Sequence, residues 1–223
     1  MNNNYILKGI IKFISGALMT ALLLFIPAGS LNYCQAWLFL GILFIPMAFL
    51  GIYMFIKMPE LLKKRLNPKE NQKKQTLLIK LSGIMFLIGF IVAGLDYRFK
   101  ISILPDAVSY LFAFIFLIGY ALYIVVLKQN EYLSRTVEVQ QNQKVVDTGL
   151  YGIVRHPMYS ATIIMFLAIP LVLGSLIAFV IFLVYPAIIV SRLKLEEALL
   201  EKELEGYIAY KSKVKYRLIP FVW

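Results

Sequence analysis

The sequence predicts an all-α integral membrane protein: four transmembrane helices, then a C-terminal helical hairpin and an interfacial tail helix. Three observations carry that reading. Of 223 residues, 61% are hydrophobic and only 16% are charged, where a soluble domain carries about a quarter charged residues. The mean hydropathy is +0.78. The apolar residues come in runs near the ~20 needed to cross a bilayer as a helix, and the basic residues gather between those runs.

The first run covers residues 10–28, with Lys8 and Lys12 at its start and Pro27 and Gly29 at its end. No basic stretch, short apolar core and small-residue cleavage site precede it, so no cleavable leader is expected. Residues 30–35 hold no lysine or arginine, and a second span follows over 36–56, with Trp37 as an interfacial anchor. The next segment, 57–80, carries Lys57, Lys63, Lys64, Arg65, Lys69, Lys73, Lys74 and Lys80 against Glu60 and Glu70. By the positive-inside rule it is cytoplasmic, and the N-terminus with it. A third span runs over 81–95, or from as early as Leu77, where Gly89 and Ala93 allow a close helix neighbour. An outer loop over 96–106 leads to a fourth span over 107–127. These spans make an N-terminal unit, 1–127, in which no buried ionisable residue is expected.

The second unit, 128–223, begins with a polar passage to residue 154. It reads as a short helix and then a loop, with Val137, Val139, Val145 and Val146 interspersed among the polar residues. There follows GLYGIVRHPMY, 149–159, holding the single histidine of the chain, His156. The residue before a proline is driven to extended geometry, and proline suits the first position of a helix. Arg155 and His156 therefore belong to a loop, with a helix starting at Pro157. The apolar run 161–190 is broken at Pro170 and at Gly174–Ser175 and has basic residues at both ends, so it reads as a hairpin; the alternative is one long tilted helix, which would put the tail outside against the charge rule. The tail, SRLKLEEALLEKELEGYIAY, suits a helix at or rising from the membrane surface, with Arg192 and Glu196 four apart on one face.

The formal net charge of +11 is explained by topology and anionic headgroups without invoking nucleic acid. A single cysteine, Cys34, excludes an internal disulfide and a multi-cysteine zinc site, and one histidine argues against a histidine-built metal centre. The hairpin brings Arg155, His156 and Tyr159 to one foot and Arg192, Glu196 and Glu197 to the other, on the cytoplasmic side. Two readings stand. Arginine and tyrosine commonly sit at headgroup level, alternating charges commonly mark a solvated helix, and a histidine there can simply bond the backbone. Alternatively, the same groups hold a zwitterionic, partly aromatic cofactor. Ser160 is the only nearby candidate nucleophile and has no supporting acid, and no glycine-rich phosphate loop is present.

GLYGIVRHPMY, an apolar hairpin, then RLKLEEALL…GYIAYKSKV…RLIP over roughly 140–220 resembles the isoprenylcysteine carboxyl methyltransferase family, whose C-terminal plan the phospholipid N-methyltransferases share. The resemblance implies S-adenosylmethionine as cofactor, held by Gln143, Lys144, Val145 and Val146, by Tyr151, by His156, Pro157, Met158 and Tyr159, and by the pair Glu196 and Glu197. It implies Arg192 facing a lipid-like or prenylated acceptor, and Arg155 flanks the same pocket. The chain departs from the pattern at Gln143, where family members often have histidine, and at Leu204–Glu205–Gly206, where Phe-Gly is usual. An arginine-flanked pocket favours an anionic oxygen as acceptor; an amine would depend on His156 to take its proton. The competing readings are phospholipid N-methylation, an NADPH-dependent sterol-type reductase suggested by KVKYRLIPFVW, and a non-catalytic transport or scaffold protein.

Overall fold

The structure is a computed structural model that describes residues 3–66, 72–102, 104–133 and 136–223, so Lys69 and Glu70 of the basic segment lie outside the described residues. The described residues are helical, in the order α1 (Asn3–Ala28), α2 (Cys34–Lys57), α3 (Pro59–Leu66), α4 (Lys73–Phe99), α5 (Asp106–Gln129), α6 (Pro157–Val172), α7 (Leu176–Phe182), α8 (Val184–Glu203) and α9 (Tyr207–Lys213), with one 3₁₀ turn at Gly149–Gly152. Inside a bilayer a helix satisfies its own backbone, which is why the apolar runs take this form. Five apolar helical stretches are long enough to cross a membrane: Ile6–Ala28, Cys34–Lys57, Lys73–Phe99, Asp106–Gln129 and Leu176–Glu203. The protein is a multi-pass membrane protein.

The chain reverses at Leu173–Ser175. Gly174 takes a left-handed φ of 75°, and Ser175 caps α7 by accepting from the Ala178 amide at 3.1 Å. The two arms are unequal, which the sequence did not anticipate. At 1.5 Å per residue the 16 residues of α6 span ~24 Å, short of the ~30 Å hydrocarbon core. The returning stretch from Leu176 runs 28 residues, through a break at Leu183, to Glu203. Residues 191–203 are therefore the continuation of the second arm, and only α9 is a separate tail element. The expected short helix after residue 128 is also corrected: α5 continues to Gln129, the described residues from 130 to 148 are irregular, and the single helical turn comes last, at Gly149–Gly152.

A further correction concerns buried charge. α4 runs past Leu95 to Phe99, so Asp96 falls inside a helix rather than in a loop, and it is buried. Its carboxylate accepts from the Ser102 amide at 2.7 Å and from the hydroxyls of Ser102 and Ser175. Buried polar groups persist where donors meet them. These bonds, with Tyr33 donating to the Leu173 carbonyl, fasten the hairpin turn to the membrane end where α1 and α4 finish. The candidate functional site lies at the opposite end.

α4 is clasped on two sides through its glycines. A Cβ on Gly94 would stand 2.5 Å from the Leu24 carbonyl oxygen of α1, and one on Gly89 would stand 2.3 Å from the Phe182 ring of α7. Gly89→Val is expected to force that ring aside at a cost of about 1–3 kcal/mol, lowering the thermal unfolding midpoint in detergent. Phe182→Leu in the same chain should recover part of it; an unchanged midpoint for Gly89→Val would show that the contact is slack.

Candidate functional site

The site is assembled from the end of α5, the loop before α6, the last turns of α8 and the C-terminal segment. Gly149 has a φ of 60°, and a Cβ there would overlap the Gln129 side chain at 2.4 Å. That side chain accepts from the Leu150 amide at 3.0 Å. Asn130 donates to the Tyr151 hydroxyl at 3.0 Å, and Tyr210 donates to the Tyr151 carbonyl at 2.8 Å. His156 is in non-helical geometry before Pro157, which opens α6 at its first position. The irregular segment 214–218 lies across this loop. The Arg155 amide donates to the Tyr216 carbonyl at 2.9 Å, the His156 amide to the Arg217 carbonyl at 3.0 Å, and the Ser160 hydroxyl to the Leu218 carbonyl at 2.6 Å.

Two carboxylates that are neighbours in sequence have separate roles in the packing. Glu197 is buried. One oxygen accepts from Arg155 Nε at 2.7 Å and faces His156 Nε2 at 3.1 Å; the other accepts from Arg217 Nε at 3.0 Å. Arg155 also donates to the Val214 and Lys215 carbonyls, both at 2.8 Å. Glu196 looks the other way. The Tyr159 hydroxyl donates to Glu196 Oε2 and accepts from Arg192 Nε at 3.0 Å, so one phenol bridges the arginine and carboxylate of the α8 face. The His156 and Tyr159 rings stack at 5.7 Å.

A cavity of about 860 Å³ opens along this face. Of the residues that the family resemblance implies for cofactor and acceptor, all but Pro157 and Glu197 line it. One end is polar, with Lys144, Glu138, Tyr151 and Glu196. The other runs between the helices and is apolar, with Met47, Phe86, Met165, Phe166, Ile188 and Ile189. Tyr159 and Arg192 line the same cavity.

Several contributors were not foreseen. Arg65 of α3 lines the cavity and donates to the Tyr123 hydroxyl and, at 3.0 Å, to the Leu133 carbonyl. Gln75, fully buried, donates to the Arg192 carbonyl at 3.2 Å. Tyr207 lines the polar end, is 4% exposed, and its hydroxyl is buried with no hydrogen-bond partner among the described residues. Burial first, and then the Glu197 and Glu196 charges, pushes its phenol well above the ordinary tyrosine range, so it stays a neutral donor and acceptor. The segment that departs from the Phe-Gly pattern nonetheless packs. Gly206 breaks the helix with a φ of 82°, and Leu204, Tyr207, Tyr210 and Val214 form a small core against Val139, Val145 and Leu200.

The sequence model of the isoprenylcysteine carboxyl methyltransferase (ICMT) family matches residues 110–202. That stretch covers most of α5, the loop, and the hairpin almost to the end of α8; it reaches further upstream than the motifs at 140–220 and stops short of the tail. A Delta(14)-sterol reductase, TM7SF2 of Mus musculus, is 32% identical over 91 residues, which are 40% of this chain and 22% of that protein. The chain thus spans about a fifth of the length of the curated relative it matches.

Proposed function

We propose, for a chain whose residues 110–202 match the isoprenylcysteine carboxyl methyltransferase family, that the cavity is the active site of an S-adenosylmethionine-dependent methyltransferase. The acceptor in this reading is a lipid-like or prenylated carboxylate. The observation that carries it is the two-ended cavity: a polar chamber opening into an apolar groove, with Tyr159, Arg192 and Glu196 in one wall.

The residues of the polar chamber fit the cofactor. Tyr207 brings an orphaned hydroxyl, Glu196 a carboxylate for an amino group or ribose hydroxyls, and Tyr151 and Tyr159 aromatic surface. Gln143–Val146 form a further wall, where Gln143 stands in the place family members often give to histidine. S-adenosylmethionine supplies an electrophilic methyl group on a sulfonium. In-line displacement depends mostly on alignment and exclusion of water, and a carboxylate acceptor is already anionic. Arg192 holds that carboxylate as a charge-assisted partner, and the bridge through Tyr159 fixes the guanidinium relative to Glu196. Arg155 is a positioning residue in this scheme, since its guanidinium serves Glu197 and two carbonyls. His156 Nε2 is likewise engaged with Glu197, which fixes the imidazole, so the preference for an anionic over an amine acceptor rests on Arg192 and not on the histidine.

The sterol reductase relative supports a second reading, reduction with NADPH. A dinucleotide pyrophosphate calls for several cations; of the four that line the cavity, Arg65, Lys144, Arg155 and Arg192, Arg155 is engaged with Glu197 and Arg65 with Tyr123 and the Leu133 carbonyl, and Glu138 and Glu196 line the same space, a balance that supports a zwitterion. Calorimetry on detergent-purified protein separates the two: S-adenosylhomocysteine binding without NADPH binding is expected, and the reverse would replace the methyltransferase reading.

The basic residues around α3, the start of α4 and α9 further support a cytoplasmic site. Cys34 is exposed and begins α2 at the far end. An impermeant maleimide is expected to label native Cys34 from outside the cell, and Ser212→Cys in a Cys34→Ser chain only after the cells are opened. Labelling of Ser212→Cys in intact cells would invert the topology.

A further inference from the structure

The last six residues form a closed turn. Leu218 and Ile219 amides both donate to the Trp223 carbonyl, at 2.9 and 3.0 Å, and the Trp223 amide returns to Ile219 at 3.1 Å. The turn presents its apolar side chains outward: Phe221 is 87%, Val222 74% and Ile219 55% exposed. Phe221 does so in the left-handed region, at a φ of 64°, a conformation unusual for a bulky residue. Exposed apolar side chains on the spans face lipid as a matter of course, but these sit beyond the last helix, in a basic tail. Their level is set by two contacts. The Leu218 carbonyl accepts from Ser160 in the first turn of α6, and Leu218 and Trp223 pack on the main core of the bundle. The turn is therefore continuous with the lipid-facing surface at the depth where α6 enters the membrane. Lys215 beside it is exposed, while Lys211 and Lys213 pair with Glu201 and Asp147.

We infer that this turn is a bilayer clasp: Ile219, Phe221 and Val222 seat in the headgroup–acyl boundary on the face where the cavity opens. An exposed apolar turn with an exposed lysine, Lys215, beside it is a composition that such a boundary accepts. Seating has a route to the site. Arg217 lies over the Trp223 ring at 5.0 Å and bonds Glu197 at 3.0 Å, and the preceding residues hold the Arg155–His156 backbone. Membrane contact at the turn thereby keeps the segment 214–218 on the loop. The inference is independent of which reaction the cavity supports.

The test uses the full chain with one tryptophan in the turn, as Trp37→Phe, Trp223→Phe and Phe221→Trp together, in vesicles of about three parts phosphatidylcholine to one of phosphatidylglycerol. Emission should fall about threefold with lipids brominated near the headgroup, less with lipids brominated near the chain end, and little with aqueous acrylamide, matching a side chain ~5–10 Å into the boundary. Quenching by acrylamide alone places the turn in water, and quenching by neither places it under protein, such as a second copy; both overturn the clasp. The coupling is read separately by hydrogen exchange in the same vesicles. Phe221→Asp should speed exchange in the peptide containing Arg155 and His156 about tenfold, and unchanged protection there would remove the route to the site.

Discussion

Glu197→Ala is expected to be the most damaging single substitution in the protein. It removes the one carboxylate shared by Arg155, His156 and Arg217 and deprives the buried Arg155 guanidinium and the half-buried Arg217 guanidinium of their common counter-charge. Breaking a buried pair from one side costs about 3–5 kcal/mol, a large fraction of the 5–15 kcal/mol typical of a folded domain. The expected result is loss of a cooperative unfolding transition in detergent, or a sharply lowered midpoint, together with loss of S-adenosylhomocysteine binding. Glu197→Gln should fall between this variant and the native chain, because the amide still accepts from one arginine. A Glu197→Ala protein with native stability and native binding would mean that the cluster is not what holds the loop, the hairpin foot and the C-terminal segment together.

The second large effect separates two residues one helical turn apart. Glu196→Gln is expected to weaken binding of S-adenosylmethionine about ten- to a hundredfold, the equivalent of roughly 1.5–3 kcal/mol for a lost charge-assisted contact. Arg192→Ala should leave that affinity within about threefold and instead depress turnover at subsaturating acceptor. Tyr159→Phe, which cuts the bridge between them, should disturb both to a smaller degree. Equal losses of cofactor affinity in the Glu196 and Arg192 variants would contradict the division of labour, and unchanged affinity in Glu196→Gln would take that residue out of the cofactor chamber.

Much of this arrangement is legible from spacing alone. Runs of apolar residues locate the long helices, Pro157 marks the start of α6, Gly174–Ser175 marks the reversal, and the four-residue interval puts Arg192 and Glu196 on one face. Neighbouring helical residues point about 100° apart, so the sequence could not decide which of Glu196 and Glu197 faces the cavity. That choice is made by Arg155 and Arg217, which are 42 and 20 residues away from Glu197. Asp96 illustrates the same limit: it is buried where it accepts from Ser175, 79 residues distant, and no local pattern records that partner. Tyr207 carried a weak local signal, since Gly206 before it breaks the tail helix, but its orphaned hydroxyl is visible only once the segment folds over Val145. The passage from 130 to 148 lacks helical periodicity, and Gln129 and Asn130 at its start reach beyond it, to the Leu150 amide and the Tyr151 hydroxyl, contacts that no local pattern records.

In the proposed reaction the cavity transfers a methyl group to a lipid-like carboxylate. Its most direct test is incubation of the reconstituted protein with S-adenosylmethionine labelled in the methyl group and a membrane lipid and peptide extract, followed by treatment of the product with base. A methyl ester is expected, releasing volatile labelled methanol, with the signal absent in Arg192→Ala. Label that survives base and disappears in His156→Ala would assign the protein to amine methylation, and no transfer to any acceptor, alongside oxidation of NADPH, would contradict the methyltransferase account itself.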